Sequence, residues 1–218
     1  MIKKIFFTGL LINVLLLANA QSFESEIAAF KKRDSISFPP KNAILFVGSS
    51  SFRIWQNIET SFPSHTIINR GFGGSILPDV IRYADDIIFP YQPKQIVIYC
   101  GENDIASSDT VTAQLVLERF KTLFQIIRNR MPGVPVLFVS IKPSPSRWAL
   151  KNKMIEANEL IKKYLKKKKH TYFVNVWNPM LGPDGKPIGA LFLPDKLHMN
   201  ASGYAIWQKI IEPFLLKN

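Results

Sequence analysis

The stretch Ala43-Ile44-Leu45-Phe46-Val47-Gly48-Ser49-Ser50-Ser51 joins an unbroken apolar run to a glycine and three serines. An apolar run without alternating polar residues predicts a strand that is buried on both faces, as in a parallel sheet covered by helices. The glycine ends this strand, so the serines follow its carboxyl end. Ligands of open parallel sheets bind at that end, and the serines are therefore candidates for a functional site.

Further apolar runs predict strands over residues 65–69, 95–100, 135–140 and 171–176. Segments with helical periodicity cover residues 111–129, 149–168 and 201–216. In the first of these helices, Leu115, Phe120 and Ile127 are expected on the buried stripe. Strands that alternate with helices favour a parallel sheet between two helical layers. We therefore predict one α/β/α domain over residues 21–218, with a helix in the segment 21–41 before the first strand.

Residues 1–20 have the pattern of a secretory signal peptide. Lys3 and Lys4 precede the apolar stretch 5–17, and Ala18-Asn19-Ala20 fits a small-residue cleavage site. The apolar stretch is shorter than the roughly 18 to 20 residues that a membrane-spanning helix needs. We therefore expect a secreted or periplasmic protein, with an uncleaved N-terminal anchor as the alternative.

The formal net charge of the chain is +12. Much of this charge lies in residues 162–169, at the end of a predicted helix, where solvated lysines interact favourably with the helix dipole. For an exported protein we expect no nucleic-acid partner and only weak attraction to anionic surfaces. Cys100 is the single cysteine, which excludes an intramolecular disulfide, and we expect it to be a small buried side chain.

The segment Asp195-Lys196-Leu197-His198 is a candidate for acid–base chemistry. A carboxylate three residues before an imidazole places both side chains on one side of a turn. Asp195 can then accept the Nδ1 proton, so that Nε2 of His198 faces outward as a base. His65 and His170 lack such a carboxylate and are expected to be structural or exposed. Taken alone, Asp195 is equally well explained as a helix cap, and a serine cluster after a strand is more often a cap than a nucleophile.

Two more polar segments follow predicted strands and so belong to the same edge of the sheet. They are Gly71-Phe72-Gly73-Gly74-Ser75 and Gly101-Glu102-Asn103-Asp104. Glycine permits close approach of the backbone, which makes the Gly74 N–H a candidate hydrogen-bond donor to a substrate. The Asn103 amide is a candidate donor to an oxyanion. A simple turn and an Asx turn are the structural alternatives.

In this order along the chain, the segments around Ser50, Gly74, Asn103 and His198 resemble the four sequence blocks of the SGNH hydrolase superfamily, the GDSL-type esterases. The resemblance extends from about Ile44 to Trp207. It implies a flavodoxin-like sandwich with a five-stranded parallel sheet.

The resemblance also assigns roles to residues. It implies that Ser50 is the nucleophile, His198 the base and Asp195 its supporting acid, and that Ser50, Gly74 and Asn103 form the oxyanion hole. The first block departs from the family, because Ser49 stands where an aspartate is usual. Ser49 and Ser51 therefore stay open as alternative nucleophiles.

A serine esterase of this kind works through an acyl-enzyme and needs no metal and no organic cofactor. Asp195, His198 and Glu102 are not joined by a further residue with metal-ligand spacing. Resemblance and export together favour a short-acyl ester substrate, such as an acetylated carbohydrate. Arg147 and Trp148, after the fourth strand, are candidates for binding an anionic or sugar group, and a structural loop is the equal alternative. A lysophospholipase-like esterase, an acyltransferase and a non-catalytic carbohydrate-binding module are the alternative functions.

Overall fold

The computed structural model describes residues 23–217, and the chain divides between Phe38 and Pro39 into two compact units. In the first unit, residues 23–36 form helix α1, within the segment where a helix is predicted. The second unit contains the sheet and the candidate site. The predicted signal peptide, residues 1–20, lies outside the described residues.

A parallel sheet forms the centre of the second unit. Its five strands, in spatial order β2-β1-β3-β4-β5, pair only in parallel. The strands are β1 Ile44–Gly48, β2 Ile67–Gly71, β3 Gln95–Tyr99, β4 Val136–Val139 and β5 Thr171–Val174. This topology confirms the predicted α/β class and the five-stranded parallel sheet.

Helices connect the strands and cover both faces of the sheet. They are α2 Ser50–Arg53, α3 Ile58–Ser61, α4 Leu77–Arg82, α5 Ala84–Ile87, α6 Glu102–Ser107, α7 Ala113–Arg130, α8 Lys151–Leu165 and α9 Ala201–Ile211. Short 3₁₀ turns occupy Phe89–Tyr91, Pro145–Leu150, Asn178–Met180, Gly189–Leu191 and Glu212–Phe214. The predicted helix over 201–216 ends early, because Pro213 has no N–H to continue it and the chain turns into a 3₁₀ segment.

The two faces of the sheet have different cores. On one face, Phe46 and Tyr99 belong to an apolar cluster that also contains Trp207 of α9. On the other face, Phe138 of β4 packs edge-on against Phe120 of α7, with ring centroids 4.9 Å apart. Alternate residues of the strands point to opposite faces of the sheet, and each set packs against the helices of one layer.

One predicted core position is wrong. Leu115 of α7 is 39% exposed, whereas Phe120 and Ile127 are buried as predicted. The buried stripe passes through Val116 and Leu117 instead, so that Leu115 lies on the flank of the helix that faces solvent.

Gly48 determines how the chain leaves β1. Its φ is +136°, and a Cβ atom at this position would lie 2.0 Å from the carbonyl oxygen of Tyr99. Only glycine fits such an approach. The next residue, Ser49, donates its N–H to the same Tyr99 oxygen at 2.9 Å. The glycine thus sets the turn that presents Ser50 at the carboxyl edge of the sheet.

In the described part of the chain, none of the helices has the length and apolar character that crossing a membrane requires.

Candidate active site

Among the three consecutive serines 49–51, Ser50 is the one whose hydroxyl contacts a histidine. It is the first residue of α2, and its Oγ lies 3.0 Å from Nε2 of His198. Ser49 and Ser51 are buried, at 3% and 2% exposure. Ser49 Oγ instead accepts a hydrogen bond from the Asn103 side chain. The geometry therefore brings Ser50, rather than its two neighbours, into contact with the candidate base.

His198 is held by the turn that precedes α9. Its Nδ1 lies 2.6 Å from Oδ2 of Asp195. The other carboxylate oxygen, Oδ1, accepts the backbone N–H groups of Leu197 and His198 at 2.9 and 3.0 Å. An ionised carboxylate only accepts hydrogen bonds, so Nδ1 carries the proton and Nε2 is left to accept from the Ser50 hydroxyl.

Asp195 is ionised at neutral pH. Partial desolvation raises its pKa, but the hydrogen bonds from the Leu197 N–H and from His198 outweigh this and lower the pKa to about 2. The carboxylate charge therefore persists at neutral pH, and it stabilises the imidazolium that forms when His198 takes a proton.

The candidate oxyanion donors converge beside Ser50. A Cβ atom at Gly74 would lie 3.8 Å from Nδ2 of Asn103, so these two residues are neighbours across the ends of β2 and β3. Asn103 Nδ2 donates to Ser49 Oγ at 2.7 Å and to the Ser75 carbonyl at 3.1 Å. The Ser50 N–H lies at the start of α2, where a helix leaves its first N–H groups without intrahelical acceptors.

The glycine at position 74 is not required by backbone strain. Gly73 has a positive φ, of 33°, whereas Gly74 does not. The space beside Gly74 is open as far as the Asn103 amide. A glycine here leaves room for a bound group rather than permitting a special turn.

A buried charge network lies directly behind Asn103. Glu102 Oε2 accepts from Lys142 Nζ at 2.7 Å and from the Tyr99 hydroxyl at 2.5 Å. The Glu102 and Lys142 side chains are 5% and 1% exposed. This contact joins the end of β3 to the loop after β4. That loop in turn donates the Ser146 N–H to the Lys196 carbonyl at 3.0 Å, so the network supports both Asn103 and the turn that carries His198.

The pKa values of Glu102, Lys142 and Tyr99 depend on burial and on the unequal number of partners that each group has. Burial raises the pKa of Glu102, but Lys142, Arg147 and the Tyr99 hydroxyl together hold it below its usual value. Burial lowers the pKa of Lys142, and its contact with Glu102 opposes that shift. Burial and the neighbouring Glu102 charge raise the pKa of Tyr99 well above its usual value. The Glu102 carboxylate is contacted by Lys142, Arg147 and the Tyr99 hydroxyl, whereas the Lys142 ammonium group contacts one carboxylate. The charged form of Glu102 is therefore stabilised more than the charged form of Lys142.

Lys142 is the residue of this region that the sequence analysis missed. The signal was a lysine between Ile141 and Pro143 directly after an apolar strand, where a charge needs a buried partner. For Glu102, the sequence suggests only a metal-ligand role, which the spacing of the other candidate ligands does not support. In the described residues, no three His, Cys, Asp or Glu side chains lie close enough together to hold a metal ion.

Arg147 and Trp148 make contacts within the protein. Arg147 Nη1 lies 3.5 Å from Glu102 Oε1, and Trp148 stacks on Trp177 with ring centroids 6.0 Å apart. These contacts account for both side chains as parts of a structural loop. Their predicted role in substrate binding stays a prediction.

The two other histidines contact residues outside this site. His65 Nδ1 is 3.0 Å from the Leu216 carbonyl oxygen, and His170 lies in a turn with φ of +54°. Cys100 is fully buried, as expected, and burial raises the pKa of its thiol well above the usual value.

A hydroxyl, an imidazole and a carboxylate in contact at the carboxyl edge of a five-stranded parallel sheet are the arrangement of an SGNH-type hydrolase. The sequence model of the GDSL-like lipase/acylhydrolase family matches residues 34–206, and the chain belongs to this family. It is accordingly an enzyme that hydrolyses esters. No curated protein matches the sequence.

Solved structures agree with this fold. A candidate platelet activating factor from Streptococcus pneumoniae has a TM-score of 0.81 at 22% identity, over 94% of this chain and 99% of that one. A candidate acylhydrolase from Bacteroides fragilis has a TM-score of 0.71 at 21% identity, over 84% of this chain and 92% of that one. A GDSL-like lipase from Bacteroides thetaiotaomicron also has a TM-score of 0.71 at 21% identity, with 86% and 96% of the two chains covered.

Proposed function

We propose that the protein is a serine esterase in which Ser50 is acylated and His198 transfers protons. Asp195 orients His198 and stabilises its imidazolium form. The observation that carries this proposal is the continuous chain of contacts Ser50 Oγ to His198 Nε2, at 3.0 Å, and His198 Nδ1 to Asp195 Oδ2, at 2.6 Å. Nucleophile and base are within hydrogen-bond reach, and a third group orients the base.

In the first half of the reaction, Ser50 Oγ attacks the ester carbonyl carbon while Nε2 of His198 takes the hydroxyl proton. The carbonyl oxygen becomes an oxyanion, which the Ser50 N–H, the Gly74 N–H and the Asn103 amide stabilise. One Asn103 N–H then turns to the oxyanion from its acceptor in the free enzyme, Ser49 Oγ or the Ser75 carbonyl. Each donor of this kind contributes about 3 to 4 kcal/mol to the transition state. The imidazolium then gives its proton to the leaving alkoxide, and the carbon–oxygen bond to the alcohol breaks.

In the second half, water takes the place of the alcohol. His198 removes a proton from the water as it attacks the acyl-enzyme, and the same donors stabilise the second oxyanion. Collapse of this intermediate breaks the bond to Ser50 Oγ, which recovers its proton from His198. The carboxylic acid leaves and the enzyme returns to its starting state.

We propose a short acyl group, such as acetyl, on a carbohydrate alcohol, and export of the enzyme through the segment 1–20. Support for the acyl group comes from the compact edge of the sheet. The loop after β4, residues 145–150, is a short 3₁₀ turn whose Trp148 is stacked on Trp177, so this segment is a short ordered turn rather than a long lid. Support for export is the charged, apolar and small-residue pattern of residues 1–20.

Hydrolysis of p-nitrophenyl acetate tests the chemistry. The wild-type protein should release p-nitrophenol, and Ser50→Ala and His198→Ala should lower kcat by about 10⁴-fold or more. Ser51→Ala is the matched control, because Ser51 is a buried neighbour whose side chain is hydrogen-bonded to Tyr99, whereas Ser50 Oγ contacts His198. Equal loss in Ser51→Ala, or full activity in Ser50→Ala, would refute the assignment.

A further inference from the structure

A cavity of about 400 Å³ opens between the end of α2 and the start of α9, and among the described residues that line it none belongs to the candidate triad. Ile54 lines it and donates its N–H to the carbonyl of Ser50 at 2.8 Å. Met199 also lines it and directly follows His198. The cavity thus shares its walls with both segments that bring the nucleophile and the base together.

The chemistry of this cavity differs from that of the rest of the surface. The chain carries 28 Lys and Arg and 16 Asp and Glu residues, yet the described residues that line the cavity are all uncharged. A phosphate or carboxylate placed there would lack the arginine or lysine partners that such anions require. The uncharged lining therefore favours an uncharged ligand.

The polar groups of the cavity are amides and a hydroxyl. Gln56, Asn57 and Gln208 line it together with Ser61. Asn57 precedes α3, and its side chain makes no capping hydrogen bond to that helix. Gln208 uses its Nε2 to donate to the Ser61 carbonyl, and its Oε1 can still accept. Side-chain amides offer both donors and acceptors, which matches the hydroxyl groups of a sugar.

The floor of the cavity is aromatic and fixed. Trp55 stacks on Tyr204 with ring centroids 4.8 Å apart and an interplanar angle of 28°. Trp55 Nε1 donates to Ser61 Oγ at 3.1 Å, and the Tyr204 hydroxyl donates to the Ser51 carbonyl at 2.8 Å. Predominantly apolar walls with a few fixed polar groups are typical of small-molecule sites.

We infer that this cavity binds the alcohol part of the ester, and that this alcohol is an uncharged, hydroxylated group such as a sugar ring. The inference rests on the proposed function. The candidate oxyanion donors Gly74 and Asn103 come from the loops after β2 and β3, so the carbonyl oxygen faces that side. His198 must protonate the leaving oxygen, and the cavity adjoins the His198 segment. The leaving group, rather than the acyl group, therefore extends into the cavity.

Filling the cavity tests this assignment. Ala205 is exposed on α9 and lines the cavity, so Ala205→Trp adds a large side chain without disturbing the core. Ser202→Trp is the matched control, since Ser202 is exposed on the same helix and does not line the cavity. The substrates are an O-acetylated methyl glucoside, ethyl acetate, whose ethyl leaving group carries no hydroxyl groups for the cavity to bind, and lysophosphatidylcholine.

For the acetylated glucoside, Ala205→Trp should lower kcat/KM at least 10-fold, mainly by raising KM. For ethyl acetate, kcat/KM should change less than 3-fold, and Ser202→Trp should leave both values unchanged. Binding of methyl glucoside to Ser50→Ala, measured by calorimetry, should be lost when Ala205→Trp is added.

Three results would overturn the inference. One is equal loss of kcat/KM on the glucoside and on ethyl acetate. The second is no change on the glucoside. The third is a higher kcat/KM for lysophosphatidylcholine than for the glucoside, with sensitivity to Ala205→Trp. Failure of the proposed function is distinguishable, because wild-type protein would then hydrolyse neither ethyl acetate nor p-nitrophenyl acetate, while calorimetry would still report on the cavity.

Discussion

Asp195 and Glu102 both support the candidate active site, but they are held in opposite ways. The Asp195 side chain is 47% exposed and pairs with His198 three residues away. The Glu102 side chain is 5% exposed and pairs with Lys142, forty residues along the chain. Asp195 is held by the N–H groups of its own turn, whereas Glu102 is held by side chains from two strand ends. The difference indicates that the surface pair serves the chemistry and the buried pair serves the architecture.

The largest effect is expected from Asp195→Asn, which removes the charge and keeps an oxygen for the two backbone N–H groups. We predict a fall in kcat of about 10⁴-fold, because the amide favours the wrong imidazole tautomer and no longer stabilises the imidazolium. A half-exposed ion pair contributes only about 0 to 1 kcal/mol to stability, so Tm should fall by less than about 4 °C. Assay of p-nitrophenyl acetate hydrolysis and thermal denaturation measure the two quantities. A kcat loss below 10-fold would contradict the role of Asp195.

The next effect is expected from Lys142→Met and concerns stability. Removing Lys142 leaves the buried Glu102 charge with only the more distant Arg147, at 3.5 Å, as a cationic partner. Breaking a buried pair in this way costs about 3 to 5 kcal/mol. Tm should fall by about 6 to 20 °C in a domain of this size.

The double variant Glu102→Gln/Lys142→Met is the control for Lys142→Met, because it removes both charges. It should recover most of the lost stability. A Tm unchanged in Lys142→Met, or as low in the double variant as in the single one, would show that the charge pair is not the cause.

Asn103→Ala should give a smaller effect, on the chemical step. Loss of one oxyanion donor lowers kcat by about 10²- to 10³-fold, with KM nearly unchanged. The substitution also removes the hydrogen bonds to Ser49 Oγ and to the Ser75 carbonyl, so Tm should fall by a few degrees. If KM rises and kcat is kept, Asn103 binds the substrate in its ground state instead.

The smallest effect concerns acid stability. The pKa of Glu102 is below its usual value in the folded protein, and that of Asp195 is about 2. Both lie below the values in the unfolded chain, about 4. Their contributions are therefore complete above about pH 5 and are lost as the pH falls toward 2. Protonation of these two groups should lower Tm over this range, against the opposite contributions of Asp79 and Asp104, whose pKa values burial raises.

Comparing variants shows which carboxylate causes the decrease in Tm at acid pH. The decrease in Tm between pH 5 and pH 3 should be smaller in Glu102→Gln/Lys142→Met than in the wild type. Asp195→Asn should change it less, because solvent screens the exposed carboxylate. The reverse order would contradict the contrast between the two pairs.

The contrast between the local pair Asp195–His198 and the long-range pair Glu102–Lys142 also explains which features could be predicted from the sequence. Unbroken apolar runs predicted β1, β3 and β4, because a strand buried on both faces needs no alternation. The runs that predicted β2 and β5 are shorter and include polar residues, and β5 is partly exposed. Asp195 and His198 were found because their spacing is local. Ser50 could not be separated from Ser49 and Ser51, since the choice depends on which hydroxyl faces His198, 148 residues away. Lys142 escaped notice because its partner Glu102 comes from another strand end, and only the folded sheet brings them together.

The central claim, that Ser50 is the residue acylated during catalysis, is tested most directly by labelling with a fluorophosphonate and locating the modified serine by mass spectrometry. We expect a single modification on Ser50, abolished in Ser50→Ala and greatly slowed in His198→Ala. Modification of Ser49 or Ser51, or labelling retained in Ser50→Ala, would contradict it.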